Sequence, residues 1–366
     1  MDLPHDDPVV CAIASSELRG ETVNASIALF LIQDGIINGA IYALLAVAIV
    51  LVFAVTRVIF IPQGEFVTFG ALTLTSLEAG QMPGTTWFLM CLGVVAFVLD
   101  LVRKRRVLTG RRIVKRFAWD ILMPAAFVLA TYLLAPLKLG LAANLILCIA
   151  LVVPMGPLIY RIAFEPIADA SVLVLLIAAV GVHLAMTGLG LVFFGPEGFR
   201  ADAFTSASFV FGPLLVSGQS ILVLAVTSVL MVALSLFFGR SLIGKALIAS
   251  AVNRRGARIV GIPEALSGRV AFIMAALIGT LSGLLVAPMV TITYDTGFMI
   301  GLKGFVAAIL AGLASYPWSV VAAVFVGLLE SVASFVASEF KDVVVFTVLI
   351  PFLLVRSLAG NHSDEE

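Results

Sequence analysis

Six ionisable residues stand inside apolar stretches of this chain: Asp34, Glu65, Asp100, His183, Lys303 and Glu330. A charge at the centre of a membrane helix costs about 2.5–3.5 kcal/mol on insertion scales, so groups kept there are candidates for function. Carboxylates and a lysine at that depth can neutralise one another, couple to an ion, or bind the charged ends of a small solute. Asp34, Asp100 and Lys303 lie near the ends of their stretches, where snorkelling to the interface accounts for them. His183 reads as a hydrogen-bonded packing residue. Glu65 and Glu330 sit among apolar residues with Lys303 as the cation within reach of either, so structural pairing and solute contact both stay open. With the neutral polar residues Asn38 and Gln63, the candidate substrate path is Asn38, Gln63, Glu65, His183, Lys303 and Glu330.

Other chemistries are excluded by spacing. "GRSLIGKA", Gly239–Ala246, approaches the phosphate-binding pattern G-x-x-x-x-G-K-[ST], but Ala246 offers no hydroxyl for Mg²⁺ and the stretch follows an apolar helix rather than a strand. Cys11, Cys91 and Cys148 show no metal-ligand spacing. Neither H-E-x-x-H nor G-x-S-x-G occurs. The expectation is a chain that is not an enzyme and binds no metal or cofactor itself.

The elements that carry these residues must lie in lipid. Of 366 residues, 61% are hydrophobic and 12% charged, with mean hydropathy +1.17; soluble domains hold roughly 45–50% apolar residues. Apolar runs of about 20 residues can cross a hydrocarbon core as helices, and lipid forces their backbone groups to pair internally. The runs are apolar on every face, which rules out a barrel. Helical spans are expected at 28–55, 63–79, 86–102, 119–136, 140–160, 171–194, 214–238, 270–292, 300–314, 319–337 and 342–356. This is an all-α polytopic fold with about 9–11 transmembrane or re-entrant helices; the second and ninth spans are short enough to be broken or re-entrant. Rows of small residues, Gly35–Gly39–Ala43 and Gly279–Gly283–Ala287, predict close helix packing and hint at an inverted repeat.

Basic loops face the cytoplasm. "RKRRVLTGRRIVKR", Arg103–Arg116, and the interval Arg240–Arg269 are such loops, whereas "EGFRADAFTSASFVFG" and "SEFKD" are not. This puts the N-terminus outside and the C-terminus inside. The divisions are an extracytoplasmic segment 1–25, a transmembrane domain 26–356 with basic loops 103–118 and 240–269, and a cytoplasmic tail 357–366. The acidic start "MDLPHDDPVVC" has no cationic n-region for a cleaved signal, and the Asn24 and Asn361 triplets read as chance. No polar interval is long enough for a soluble core. Driving energy and solute capture must come from another chain or an ion gradient.

"GKALIASAVNRRGARIVGI", Gly244–Ile262, concentrates Lys245, Arg254, Arg255 and Arg258 between two apolar blocks. Read as one helix, it aligns Ala246, Ala249, Asn253, Ala257 and Val260 on a narrow face of small residues, and Gly261 with Pro263 ends it. A bare basic loop would not need such a face. The pattern G-[KR]-A-L-x-A-x-A-x-N-R-x-x-A-R-x-x-G-I resembles the coupling segment of permeases in the branched-chain amino acid ABC importer family. "DGIINGAIYALLAVAIVLVF", "GEF" at 64–66, "LIAAVGVHL" at 176–184, "GLKGFVAAILAGLAS" at 301–315, "GLLES" at 327–331 and "FLLVRSLAG" extend the resemblance in order, interrupted by an insertion near 88–140.

The resemblance implies a permease of the bacterial inner membrane for branched-chain or other hydrophobic amino acids, or related small carboxylates. It implies that Lys245, Ala246, Ala249, Asn253, Arg254, Ala257, Arg258 and Gly261 dock on a separate ATPase. The implied partners are a second homologous permease, two ATPase subunits holding ATP and Mg²⁺, an external substrate-binding protein and membrane lipid, with no nucleic acid. An ion-coupled carrier is the alternative; it would use Glu65, Lys303 and Glu330 but leave the alanine face unexplained. Two departures stand out. "FIPQGEF" has Phe60 and Gln63 where the family commonly has Asn and His, and Val252 and Arg255 replace acidic residues, which suggests an acidic ATPase groove. The basic insertion suits anionic lipid.

Overall fold

The structure, a computed structural model, describes residues 8–103, 110–138, 140–211, 214–313 and 315–360. Expectations for residues 1–7, the middle of the basic loop (104–109), Asn361 and the end of the tail lie outside the described residues, as do the side chains of Cys11 and Asn24. The helices are α1 (Pro8–Thr56), α2 (Gln63–Glu78), α3 (Thr85–Arg103), α4 (Gly110–Phe117), α5 (Met123–Leu134), α6 (Leu141–Val152), α7 (Met155–Ile159), α8 (Val172–Phe194), α9 (Gly218–Arg240), α10 (Leu242–Val252), α11 (Arg254–Ile259), α12 (Glu264–Val286), α13 (Thr296–Leu310), α14 (Tyr316–Val336), α15 (Lys341–Thr347) and α16 (Leu349–Gly360). π-helical turns at Ala118–Leu122 and Tyr160–Phe164 join α4 to α5 and extend α7. The fold is all-α and polytopic.

Every expected span falls on a helix, with informative shifts. Eight helical stretches among the described residues are long and apolar enough to cross a membrane, the first being Ser26–Thr56 of α1. Residues 8–25 run into it as one continuous helix. The span expected at 214–238 starts at Gly218, because Leu214–Ser217 pairs antiparallel with Ser208–Phe211 in a hairpin (β1 and β2). The span expected at 270–292 is α12, which begins at Glu264 and stops at Val286, before Pro288. Its second turn tolerates charge because Arg269 forks onto Glu165 at 2.8–3.2 Å.

α1 is the centre of the molecule. Leu44, Leu45, Ala46, Ala48, Val50, Leu51 and Val52 are fully buried, as suits a helix apolar all round. α14 packs along it through the first glycine row: a Cβ on Gly39 would fall 2.7 Å from the Val324 Cα, and one on Gly35 equally close to the Leu328 Cα. The second row serves α2, with Gly283 against the Val67 carbonyl and Gly279 against Phe66.

The short spans share one design. After α1 the chain returns through Arg57–Pro62 and starts α2 at the wholly buried Gln63; after α12 it returns through 287–295 and starts α13 at Thr296. The two helices cross at their first turns, where a Cβ on Gly64 would lie 2.0 Å from the Gly297 carbonyl oxygen. Thr68 Oγ1 accepts the Gly297 N–H at 2.8 Å, satisfying one donor that a buried helix start would orphan. A long helix, an extended return and a short helix thus occur twice.

The inserted helices are fixed by charge. Asp100 was expected to snorkel, but it is buried and bonds Arg161 Nη2 at 2.5 Å. Arg161 Nη1 donates to Asp120 Oδ1 at 2.6 Å, and Arg116 also pairs with Asp100. Burying a carboxylate is tolerable only with such partners.

Candidate functional site

The candidate path residues fall into two separate clusters. In the first, Lys303 Nζ on α13 donates to Glu330 Oε1 on α14 at 2.5 Å, and the Tyr42 hydroxyl on α1 donates to Glu330 Oε2 at 2.5 Å. Asp342, at the start of α15, lies 2.9 Å from the same ammonium. Lys303 and Glu330 expose under a tenth of their side chains. They are brought together because Gly304 admits Leu45 against α13 while Gly35 and Gly39 admit α14 against α1. Lys303 therefore does not snorkel; it pairs, and its partner is Glu330 rather than Glu65. Asn38 donates to Asp34 at 3.3 Å and lines the cavity beside this cluster.

The second cluster lies at the crossing of the short helices. Glu65, in the first turn of α2, is wholly buried, and its Oε1 is 2.8 Å from His183 Nδ1 on α8. Thr187 donates to the same oxygen at 3.3 Å, and Phe298 stacks on the imidazole with ring centroids 4.1 Å apart. His183 is thus a packing residue with a specific partner. The helix start favours a carboxylate at Glu65. Gln63 Nε2 donates to the Ala275 carbonyl at 3.0 Å, while Gln63 Oε1 and Glu65 Oε2 have no hydrogen-bond partner among the described residues. Gln63, Glu65 and His183 do not line the cavity that holds Asn38, Lys303 and Glu330.

The stretch Gly244–Ile262 lies on two helices, not one. Asn253 leaves the helical conformation (φ −148°, ψ 96°), and its side chain caps α11 by accepting the Gly256 N–H at 2.9 Å. The break resets the helical phase and splits the expected small-residue face. Ala257 is buried in this subunit, Ala246 and Ala249 are half-buried, and Asn253 and Val260 are exposed. Ser250 bonds Ser267 on α12 at 3.0 Å, and Arg254 Nη2 donates to the Val55 carbonyl in the last turn of α1 at 3.0 Å. Ala257 therefore packs inward, and Ala246 and Ala249 do so in part. The outward face carries Val252, Ile259 and Val260, 81%, 86% and 73% exposed, among Lys245, Arg255 and Arg258. Arg258 pairs with Glu264 at 2.7 Å, and that hydrogen bond raises its pKa further above the ordinary arginine value. Gly261 adopts φ +89° to end the segment.

Comparison with known proteins decides the family. The family model described as the permease component of branched-chain amino acid transport systems matches residues 112–353. This chain belongs to that family. It is similar to the high-affinity branched-chain amino acid transport permease LivH of Salmonella typhimurium, 24% identical over 333 residues that cover 88% of this chain and 91% of that one. LivH of Escherichia coli K12 matches at 24% identity with the same coverage. BraD of Pseudomonas aeruginosa is 28% identical over 208 residues, 55% of this chain and 68% of the relative. PsaBC from Streptococcus pneumoniae, solved with a Fab, aligns with TM-score 0.38 and 11% identity over 89% of this chain and 90% of that one, too distant to carry an argument.

The permease is accordingly a multi-pass inner-membrane transport component rather than an enzyme. Sequence reasoning singled out none of four residues that hold these charges: Asp120, Arg161, Tyr42 and Asp342. Glu330 lies 288 residues from Tyr42. Only Thr187 carried a local signal, four residues from His183 and hence on the same helix face.

Proposed function

We propose that this permease is the translocating subunit of an ATP-driven importer for branched-chain or related hydrophobic amino acids. A second permease of the same family would complete the pathway. Two ATPase subunits, which hold the ATP and Mg²⁺, would drive it, and an extracytoplasmic binding protein would deliver solute. The basic end, with Arg116, Arg254, Arg258 and Arg269, faces the cytoplasm; the β1–β2 hairpin and Asp342 face outside.

The observation that carries the reading is the outward face of α10–α11. Val252, Ile259 and Val260 are exposed apolar side chains interspersed in sequence with the cations Lys245, Arg255 and Arg258 at the polar end of a membrane protein. Exposed apolar residues rimmed by polar ones mark contact surfaces. A segment that only obeyed the charge rule would not display isoleucine. The inward bonds of Ser250 and Arg254 complete a mechanical link, so a displacement of α11 is passed to the last turn of α1 and the return segment behind it.

Ile259→Asp would place a charge in that contact. Pull-down with the two ATPases should fail, and hydrolysis stimulated by the loaded binding protein should fall to its unstimulated level. Arg255→Gln, at the rim, should cost about 0–1 kcal/mol and keep assembly. Assembly and coupling of Ile259→Asp at the unaltered level would sink the docking reading.

A further inference from the structure

One cavity remains unexplained by pairing alone. About 480 Å³ of space opens between α1, the 287–295 return, α13, α14 and α15, toward the end that carries the hairpin. Its walls differ in chemistry. One side presents Lys303, Glu330, Lys341, Asp342 and Asp295, with Thr293 and Thr296 beside them. The other presents Ile41, Val286, Met289, Val290, Met299 and Ile300.

The charged wall is unevenly satisfied. Glu330 is fully engaged, by Lys303 on one oxygen and by Tyr42 on the other. Asp342 is not: its Oδ1 lies 2.9 Å from Lys303 Nζ, yet it receives no hydrogen bond, so the contact is close but misaligned. Lys303 serves two carboxylates, which leaves that group of three with a formal charge of −1. A buried pair wanting only neutrality would need Glu330 and Lys303, not a second acid. The arrangement leaves Asp342 Oδ1 short of a well-aimed donor, beside two lysines, Lys303 and Lys341, that can take an anion.

We propose that this cavity is an outward-facing subsite for a zwitterionic aliphatic α-amino acid; this rests on the importer reading above. The ligand's ammonium takes Asp342 Oδ1, for which Lys303 is poorly aimed. Its carboxylate takes Lys303 and Lys341, and its side chain lies on Met289, Met299 and Ile300. The methionines are adaptable enough to accept isoleucine, leucine and valine shapes alike. The ligand replaces one internal ion pair with its own two charges, so the cluster gains bonds without stranding a charge. Because Lys303–Asp342 joins α13 to α15, the exchange also frees α15 from α13 when solute is present. A small carboxylate without an amino group supplies the anion but leaves Asp342 unmatched, and an amide supplies no anion for Lys303 and Lys341. Discrimination against both follows, since a site built for a polar group loses much of its affinity when the ligand lacks that group.

The test uses the assembled transporter in nanodiscs without the binding protein, whose own selectivity would mask the site. Radiolabelled L-leucine binding is measured in competition with 4-methyl-2-oxopentanoate and leucinamide, and leucine uptake is then measured in proteoliposomes with the binding protein present. Asp342→Asn should weaken leucine binding about tenfold or more, as expected for a lost charge-assisted hydrogen bond. Met299→Trp, which fills the apolar wall without touching a charge, should do the same. Neither analogue should compete with leucine. Asp342→Glu should recover part of the binding, which a merely structural defect would not. Should Asp342→Asn fail to assemble, Met299→Trp decides. Unaltered leucine binding and uptake in Met299→Trp, or competition by the oxo acid as strong as by leucine, would overturn the subsite. If the wild-type transporter takes up no aliphatic amino acid at all, the failure belongs to the importer reading instead.

Discussion

Lys303 decides how the outer cluster behaves. Removing one partner of a buried ion pair strands the other, which typically costs about 3–5 kcal/mol. Lys303→Met should therefore lower the thermal stability of the detergent-solubilised permease sharply. Adding Glu330→Gln should restore much of the loss, because the neutral amide still accepts from Tyr42. Adding Glu65→Gln should restore none, since Glu65 meets His183 at 2.8 Å and never approaches Lys303. Equal rescue by both changes would contradict the separation of the two clusters. The same logic applies at His183. Its loss leaves a fully buried carboxylate with only Thr187, so His183→Leu should cost about 1–3 kcal/mol, and melting of the double variant with Glu65→Gln should show partial recovery.

Among the elements, the crossing of α2 and α13 is the least forgiving. Alanine improves an exposed helix position over glycine by about 1 kcal/mol, so the sign of a Gly→Ala change reports its surroundings. Gly64→Ala sets a methyl 2.0 Å from a backbone carbonyl, where neither helix can yield without the other moving. It should abolish stable expression. Gly181 and Gly188 on α8 have nothing within 4 Å, so Gly181→Ala should leave the folding of this chain unharmed or slightly improved. Fluorescence size-exclusion profiles compare the two, and a normal Gly64→Ala profile would refute the crossing. For α11, Asn253→Ala removes the cap at a cost of about 1 kcal/mol. It should reduce coupling while leaving the spans inserted.

At the scale of the whole molecule, the contacts sort the loops into two ends. Arg254 with Val55, Arg269 with Glu165 and Arg116 with Asp100 mark one; the bridge between Phe199 and Ile292 marks the other. Excess cations stay on the cytoplasmic side. A single cysteine at Thr205, in a background without native thiols, should therefore react with an impermeant reagent in intact cells, and one at Gly110 should not. Equal labelling would contradict this orientation and, with it, the proposed docking of Gly244–Ile262 on cytoplasmic ATPases.

Lipid is the reason the spans could be read from the chain alone: it pairs no backbone group, so each long apolar run must become a helix wherever it packs. Charge asymmetry likewise predicts sidedness without any contact map. The family resemblance was legible in the order of residues from Gly244 to Ile262, and the close-packed glycine rows in their four-residue period. What the pattern could not fix was phase and partnership. The turn at Asn253 rotates α11 relative to α10, so Ala257, which a single helix would align with Ala246 and Ala249, is buried and Ile259 faces out instead. Lys303 had two carboxylates of similar sequence environment to choose from, and the packing of α14 on α1 chose Glu330. Asp100 looked like a span-end residue until Arg161, 61 residues away, was brought beside it. Such choices depend on which helices touch and at what rotation, and those are set by side-chain volumes summed over whole interfaces. The cavity beside Asp342 belongs to the same class, because an empty space has no residue to announce it and exists only where five separate segments fail to meet.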